Sequence, residues 1–369
     1  MTEPKVALFY DWLNQWGGAE KVLLDLIKLY PKAPVYTLVY NPEKTKWLPK
    51  NTKIITSFIN NLPFADSNPI FYTPLYSIAL EQFNFSQYDI VISTTSINGH
   101  CLITPPETLF VCYLHNINRY VYQTPKKFLF LKPFLNFYKK IDHIYSQRPD
   151  YLLCNSKTVE NRIANSYKRK ADVINPGTDV NFFKPSNSDK NKEKYFLVVS
   201  RLVNHKRIDI AIKACHQLGL NLKIVGKGRQ ERELLDLINS LNNKNIKLLK
   251  NIDDQKLLTL YQNCQALICP QEEDFGLTPI EAQSCGKPVI AFNKGGITET
   301  VIDKKTGIFF NKQSTKSLIK ALIKFQKCNL SKTDCIKNAN RFSKEKFMLN
   351  FNQKINYLWK KHQKKTITS

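Results

Sequence analysis

Short apolar runs alternate with helix-length amphipathic segments along nearly the whole chain, and this alternation limits the fold more than any other feature. In the first half the runs are 6–10, 35–39, 90–93, 108–114 and 151–155, with helical spacing over 19–29, 74–83 and 133–147. In the second half they are 195–200, 222–225, 246–249, 266–269 and 288–291, with helical spacing over 208–218, 229–241, 253–263, 278–284 and 314–327. Strands followed by helices in this way predict α/β architecture, with parallel sheets covered on both faces. A chain of 369 residues exceeds one ordinary core, so two domains are expected. The polar stretch 185–194 carries no apolar periodicity and reads as a linker or exposed loop. The expected division is 1–180, 181–344 and a terminal helix over 345–369, striped with Phe347, Phe351, Ile355 and Leu358.

Apolar content of 43% and aromatic content of 12% suit packed domains and exclude a disordered chain. Nine cysteines occur without a C-x-x-C pair. They read as small core residues of a reduced, cytoplasmic protein. The beginning of the chain lacks a signal-peptide layout, and no stretch is apolar for the length a spanning helix needs. A cytoplasmic location is expected, with peripheral attachment to the inner face of the cell membrane as an addition. The net charge of +25 suggests a polyanionic partner: nucleic acid, an acidic membrane surface or phosphorylated substrates. No nucleic-acid reading motif accompanies it.

The richest segment for chemistry runs from Cys269 to Glu299. Glu273 and Glu281 lie either side of a Phe275-Gly276 turn, with seven residues between them. Thr278-Pro279-Ile280-Glu281 has the makings of a helix start, with a hydroxyl cap, proline at the first position and Glu281 at the third. The free N–H groups of such an end attract phosphate, and two carboxylates can hold hydroxyls. The plainer reading is a capping box that stabilises a helix and nothing more.

Other segments supply companions. Gly17-Gly18 follows the first strand and opens a helix, either as a simple entry turn or as a close approach to a ligand. Gly226 in Gly226-Lys227-Gly228 is a lesser signal of the same kind. Arg201 and Lys206 follow the strand at 195–200 and could neutralise a diphosphate, with Arg207 competing for the second role. His115 ends a buried run, where a lone histidine is more often structural. No H-E-x-x-H, D-x-D or G-x-S-x-G occurs, so diphosphate departure without a metal cofactor is expected. Between Lys126 and Arg148, lysines interleave with aromatics, and Leu135, Tyr138, Ile141 and Tyr145 recur at helical spacing. This helix either meets an acidic membrane surface or faces the core with a solvated lysine side, the second being favoured.

Taken together the chain resembles glycosyltransferase family 4, retaining nucleotide-sugar transferases of the GT-B fold, two Rossmann-like doubly wound domains facing a central cleft. The resemblance rests on G-G-A-E at 17–20, H-N-I-N-R-Y at 115–120, C-N-S at 154–156, N-P-G-T-D at 175–179, S-R-L at 200–202 with Lys206, V-G-K-G at 225–228 and the Glu273–Glu281 segment. It implies an acceptor-side first domain, a second domain that binds the nucleotide sugar, and a terminal helix that crosses back to the first. It also implies roles: Arg201 and Lys206 on the donor diphosphate, Glu281 on the ribose, Glu273 and His115 at the transferred sugar, and Gly17, Gly18, Gly226, Gly276 and Leu277 lining the donor site. Gly295-Gly296 with Glu299 matches a further family pattern. Y-D-W-L at 10–13 and H-K-R-I-D at 205–209 resemble a bacterial branch rich in mannosyltransferases, which implies GDP-mannose and a lipid-linked or oligosaccharide acceptor in cell-surface polysaccharide synthesis. Arg229, standing where the family often has proline, and Gln271, where serine is common, depart from that pattern. The alternatives are a UDP-sugar transferase or sugar-nucleotide epimerase on the same fold, or a basic nucleic-acid-binding protein.

Overall fold

A computed structural model describes residues 3–122, 132–186 and 194–368. Lys126, Phe128 and Phe130 of the basic-aromatic segment, and most of the polar stretch 185–194, lie outside the described residues. The chain divides into two compact units, Met1–Asn175 with Phe347–Ser369, and Pro176–Lys346.

The N-terminal unit runs β1 (Val6–Leu13), α1 (Gly18–Leu29), β2 (Val35–Tyr40), β3 (Ile54–Thr56), α2 (Tyr76–Glu81), β4 (Ile90–Thr95), β5 (Leu109–Leu114), α3 (Arg119–Tyr122), α4 (Lys132–Tyr145), β6 (Tyr151–Cys154), α5 (Lys157–Tyr167) and β7 (Asp172–Val173). Its strands form a parallel sheet of order β3-β2-β1-β4-β5-β6-β7. Successive side chains of a strand point to opposite faces, and β5 shows the result. Phe110, Cys112 and Leu114 enter one core with α2 and α5, whereas Leu109, Val111 and Tyr113 enter another with α1. With both faces covered, the strand has no use for polar alternation, which is why it reads as an unbroken apolar run.

The second unit runs β8 (Phe196–Val199), α6 (Ile208–Gln217), β9 (Leu222–Val225), α7 (Glu231–Ser240), β10 (Ile246–Leu249), α8 (Asp254–Asn263), β11 (Leu267–Cys269), α9 (Leu277–Ser284), β12 (Val289–Phe292), α10 (Ile297–Thr300), β13 (Gly307–Phe310), α11 (Thr315–Gln326) and α12 (Lys332–Ala339). Its parallel sheet has the order β10-β9-β8-β11-β12-β13. Both sheets reverse direction beside their first strand, at β1/β4 and at β8/β11. A crevice opens outside the carboxyl ends of the strands at such a reversal, and ligands bind there.

α13 (Lys344–Thr368) begins in the second unit and ends in the first. Phe347, Phe351, Ile355 and Leu358 are buried in the core that also holds α1, and Phe351 lies edge-on to Tyr113 at 5.8 Å. All nine cysteines are free, and all but Cys328 are buried.

The structure corrects several expected boundaries. β3, β7 and β13 are additional strands at sheet edges; β3 and β7, three and two residues long, are too short for periodicity to register. The helix expected over 74–83 is a 3-10 segment, Pro69–Leu75, that passes into α2 only at Tyr76, because Pro74 has no N–H to give an α-helical bond. The chain passes between units at Asn175–Pro176, ahead of the polar stretch.

Phe351→Ala is expected to cost about 3–5 kcal/mol through the cavity it leaves, seen as a lowered melting temperature by circular dichroism. Leu349→Ala, on the exposed side of the same helix, should leave melting nearly unchanged.

Candidate functional site

The strand reversal in the second unit gathers most of the expected residues. β8 ends at Val199, and the chain turns through Arg201 into a short 3-10 turn, Asn204–Lys206. Arg207 then takes the left-handed conformation (φ 51°) that starts α6. This turn points neighbouring cations in different directions. Lys206 is nearly buried, and its Nζ donates to both oxygens of Glu273 at 2.7 and 2.8 Å. Arg207 instead forks onto Asp209 at 3.1 and 3.3 Å. The two neighbouring cations therefore hold different carboxylates. Arg201 is exposed, and its guanidinium has no hydrogen-bond or ion-pair partner among the described residues.

Glu273 lies in the loop after β11, beside β8 in the sheet. Gln271 Nε2 also donates to Glu273 Oε1, at 2.6 Å, and the Gln271 amide oxygen is buried without a partner. The backbone of this loop is fixed by the next one, since Gly296 N–H donates to the Glu273 carbonyl at 2.7 Å. Glu299 follows in α10, where its own N–H donates to the Gly296 carbonyl.

Glu281 does not occupy the expected place. The helix starts at Leu277, capped by Gly276 with φ of 97°, and no side chain caps it. Thr278 is therefore inside the helix, and Glu281 is its fifth residue rather than its third. The capping-box reading fails because Gly276, free of a Cβ, turns the chain into the helix two residues early. Glu281 is buried, and Tyr261 Oη, from α8, donates to its Oε2 at 2.8 Å. Leu277 packs with Phe275, Ile280 and Phe342 beneath the turn.

Gly226 has a packing reason of its own. A Cβ there would sit 1.8 Å from the Ser200 carbonyl oxygen, so a side chain would force apart the loops after β8 and β9.

The other expected residues belong to the N-terminal unit. His115 directly follows β5; its Nε2 is 2.8 Å from Thr94 Oγ1, and its carbonyl accepts from Asn155. Gly17 caps α1 in extended conformation, and Gly18 is the first helical residue. Glu20, buried in the first turn, accepts from Tyr10 Oη at 2.7 Å and Gln15 Nε2 at 3.0 Å.

Two buried groups escaped the sequence reading. Tyr261 gave no signal, since it looks like one more apolar residue of a helix. Asp11 had a signal, being an acid inside an apolar strand. It sits at the sheet reversal, accepting from Thr95 Oγ1 at 2.7 Å and from the N–H of Ser96 at 2.7 Å and Asn98 at 3.3 Å. Burial holds its carboxyl above the ordinary carboxylate range, and these hydrogen bonds offset part of that.

Two doubly wound parallel units of this order define a GT-B protein. Two family models match in succession: "Glycosyltransferase Family 4" over residues 16–182 and "Glycosyl transferases group 1" over residues 179–342. The chain belongs to glycosyltransferase family 4. It is 31% identical over 168 residues to the alpha-1,3/1,6-mannosyltransferase ALG2 of Dictyostelium discoideum, 39% of this chain and 40% of that one. The chain spans about half the length of the first curated relatives it matches. Among solved structures, sucrose-phosphate synthase from Thermosynechococcus elongatus superposes with a TM-score of 0.79 at 18% identity, covering 96% of this chain and 99% of that one. Anabaena HepE in complex with UDP and glucose superposes with a TM-score of 0.74 at 21% identity, covering 96% and 99%.

Lys206→Ala would leave the Glu273 carboxylate half-hidden and short of its cation, and is expected to cost about 3 kcal/mol. Arg201→Ala should change stability by less than about 0.5 kcal/mol. Paired thermal melts of the two variants check this contrast.

Proposed function

We propose that the protein is a retaining glycosyltransferase that moves a hexose, mannose from GDP-mannose, onto a lipid-linked or oligosaccharide acceptor. The observation that carries this reading is the unpaired Arg201 guanidinium at the carboxyl end of β8, with the Lys206–Glu273 pair a few residues on. A diphosphate needs two cationic partners, and an exposed guanidinium offers the forked geometry phosphate oxygens accept. Mannose is taken from the resemblance and from the mannosyltransferase named among the relatives. The HepE structure is a complex with UDP and glucose, so the nucleotide is part of the test.

In this reading Arg201 and Lys206 hold the diphosphate and stabilise the charge that grows as the glycosidic bond breaks. Glu273 keeps the Lys206 ammonium in place before the donor arrives, then meets the transferred sugar. Glu281, oriented by Tyr261, accepts from the ribose hydroxyls. His115, Gly17 and Gly18 are assigned to the sugar and donor through the family resemblance. The reaction passes through an oxocarbenium-like state with the sugar's configuration kept, and no metal takes part.

Glu281→Ala should raise the donor Kd at least about tenfold with a smaller change in kcat. Glu273→Ala should lower kcat more than about 100-fold with little change in donor Kd. Isothermal titration and initial rates separate the two; negligible effects in both variants would remove these roles.

A panel of GDP-mannose, UDP-glucose, UDP-galactose and UDP-GlcNAc, assayed with and without saccharide acceptor and in excess EDTA, tests the class. Acceptor-dependent release of GDP that survives EDTA is expected. A UDP-sugar as sole donor would replace mannose, and an epimerised sugar without transfer would sink the reading.

A further inference from the structure

The buried acid Asp11 has no part in the scheme above, and its place inside the protein costs free energy. Burial raises its affinity for a proton by more than its hydrogen bonds lower it. The ionised group therefore weakens the fold once the pH has risen past its titration. Carboxylates kept in such places gather at functional sites, and the bonds that Asp11 accepts lead to one.

Both carboxylate oxygens hold the segment that follows β4. Oδ1 accepts from Thr95 Oγ1 at 2.7 Å and from the Asn98 N–H at 3.3 Å, and Oδ2 accepts from the Ser96 N–H at 2.7 Å. The Thr95 hydroxyl also accepts, from the N–H groups of Ile97 at 3.1 Å and Gly99 at 2.9 Å. Its two lone pairs are thus engaged, and its single proton goes to Asp11. All three groups facing the carboxylate are donors. An asparagine in this position would bring one oxygen to three donors and set its own N–H against one of them, so the side chain has to be an ionised acid. Thr37 Oγ1, from β2, donates to the Asp11 carbonyl at 3.2 Å and steadies the backbone below.

The segment held by Asp11 reaches His115 by two routes. Thr95, bonded to Asp11 through its hydroxyl, accepts the His115 N–H on its carbonyl at 2.9 Å. Its neighbour Thr94 places Oγ1 2.8 Å from His115 Nε2, so the same strand end meets both the backbone and the ring. The second route passes through Asn98, whose N–H is on Asp11. Asn98 Oδ1 accepts from Asn118 Nδ2 at 3.2 Å, and Asn118 closes the loop that His115 opens between β5 and α3. Thr94 and Thr95 are fully buried, which protects these bonds from exchange with water.

We propose that Asp11 is a positioning residue for His115, and that sugar transfer depends on it. Asp11 meets no reacting atom; it acts through Thr95 and Asn98. The inference rests on the reading that puts His115 at the transferred sugar, and adds to it the group that sets the histidine in place.

Nitrogen NMR of the histidine rings in the full, ligand-free chain tests the positioning itself. The chain has six histidines, and the H115A spectrum identifies the signals of His115. D11N should move them, while those of His216 and His362, which meet Asn243 and the Glu107 carbonyl, should stay. In transfer assays D11N should lower kcat at least about tenfold, with donor Kd within about twofold of wild type. The double variant D11N/H115A should be no slower than H115A alone, because residues that act through one group are not additive. N98A, at a half-buried position, breaks only the second route and should give the same pattern at smaller amplitude; it carries the test if circular dichroism shows D11N unfolded. Unmoved His115 signals overturn the proposal, and so do rate losses that multiply in the double variant, as those of a purely structural residue would. An active wild type with an unimpaired H115A removes His115 from the reaction and this inference with it. A wild type that transfers no sugar refutes the transferase reading and the dependence of transfer on Asp11 together.

Discussion

An ammonium and a carboxylate, both largely withdrawn from water, tie two strands that are neighbours in the sheet and far apart in the chain. Lys206 follows β8 and Glu273 follows β11, and between these strands the sheet order reverses. Each charge costs free energy to desolvate, and each is tolerable because the other is present. The pair therefore ties the loop after β8 to the loop after β11. Of the neighbouring cations, Arg207 turns to Asp209 and Arg201 is left exposed. The loops that follow β9 and β12 close on the same place, through Gly226 against Ser200 and Gly296 against Glu273. In each case a backbone approaches too closely for a side chain.

Much of this was legible because burial on both faces of a parallel sheet leaves a plain mark. Strands such as β9 and β10 were readable to the residue, being apolar runs bounded by polar turns. The motif residues were also visible by type and order. What could not be read was direction. Sequence placed Lys206 and Arg207 side by side, and only the left-handed backbone at Arg207 separates their partners. Likewise, Thr278-x-x-Glu281 has the letters of a capping box, but a positive φ at Gly276 lies outside what those letters encode. The partner of Glu281 comes from α8, twenty residues back, and a tyrosine in an amphipathic helix looks the same whether its hydroxyl is used or not.

The exposed side of α4 offers the complementary lesson. Periodicity identified the inward stripe of Leu135, Tyr138, Ile141 and Tyr145. It could not tell that the outward positions would carry Phe134, Phe137 and Ile144 into solvent, because a helix rich in aromatics has more than one apolar stripe.

The last helix has a consequence for the order in which the molecule can be completed. Phe347, Phe351, Ile355 and Leu358 fill the interior of the N-terminal unit, yet they are synthesised only after the second unit. That unit must therefore wait, with one face of its sheet partly uncovered, while the whole of the second unit emerges. Loss of this one 25-residue helix would thus unseat a unit made well before it, and chaperone demand should fall on that waiting unit.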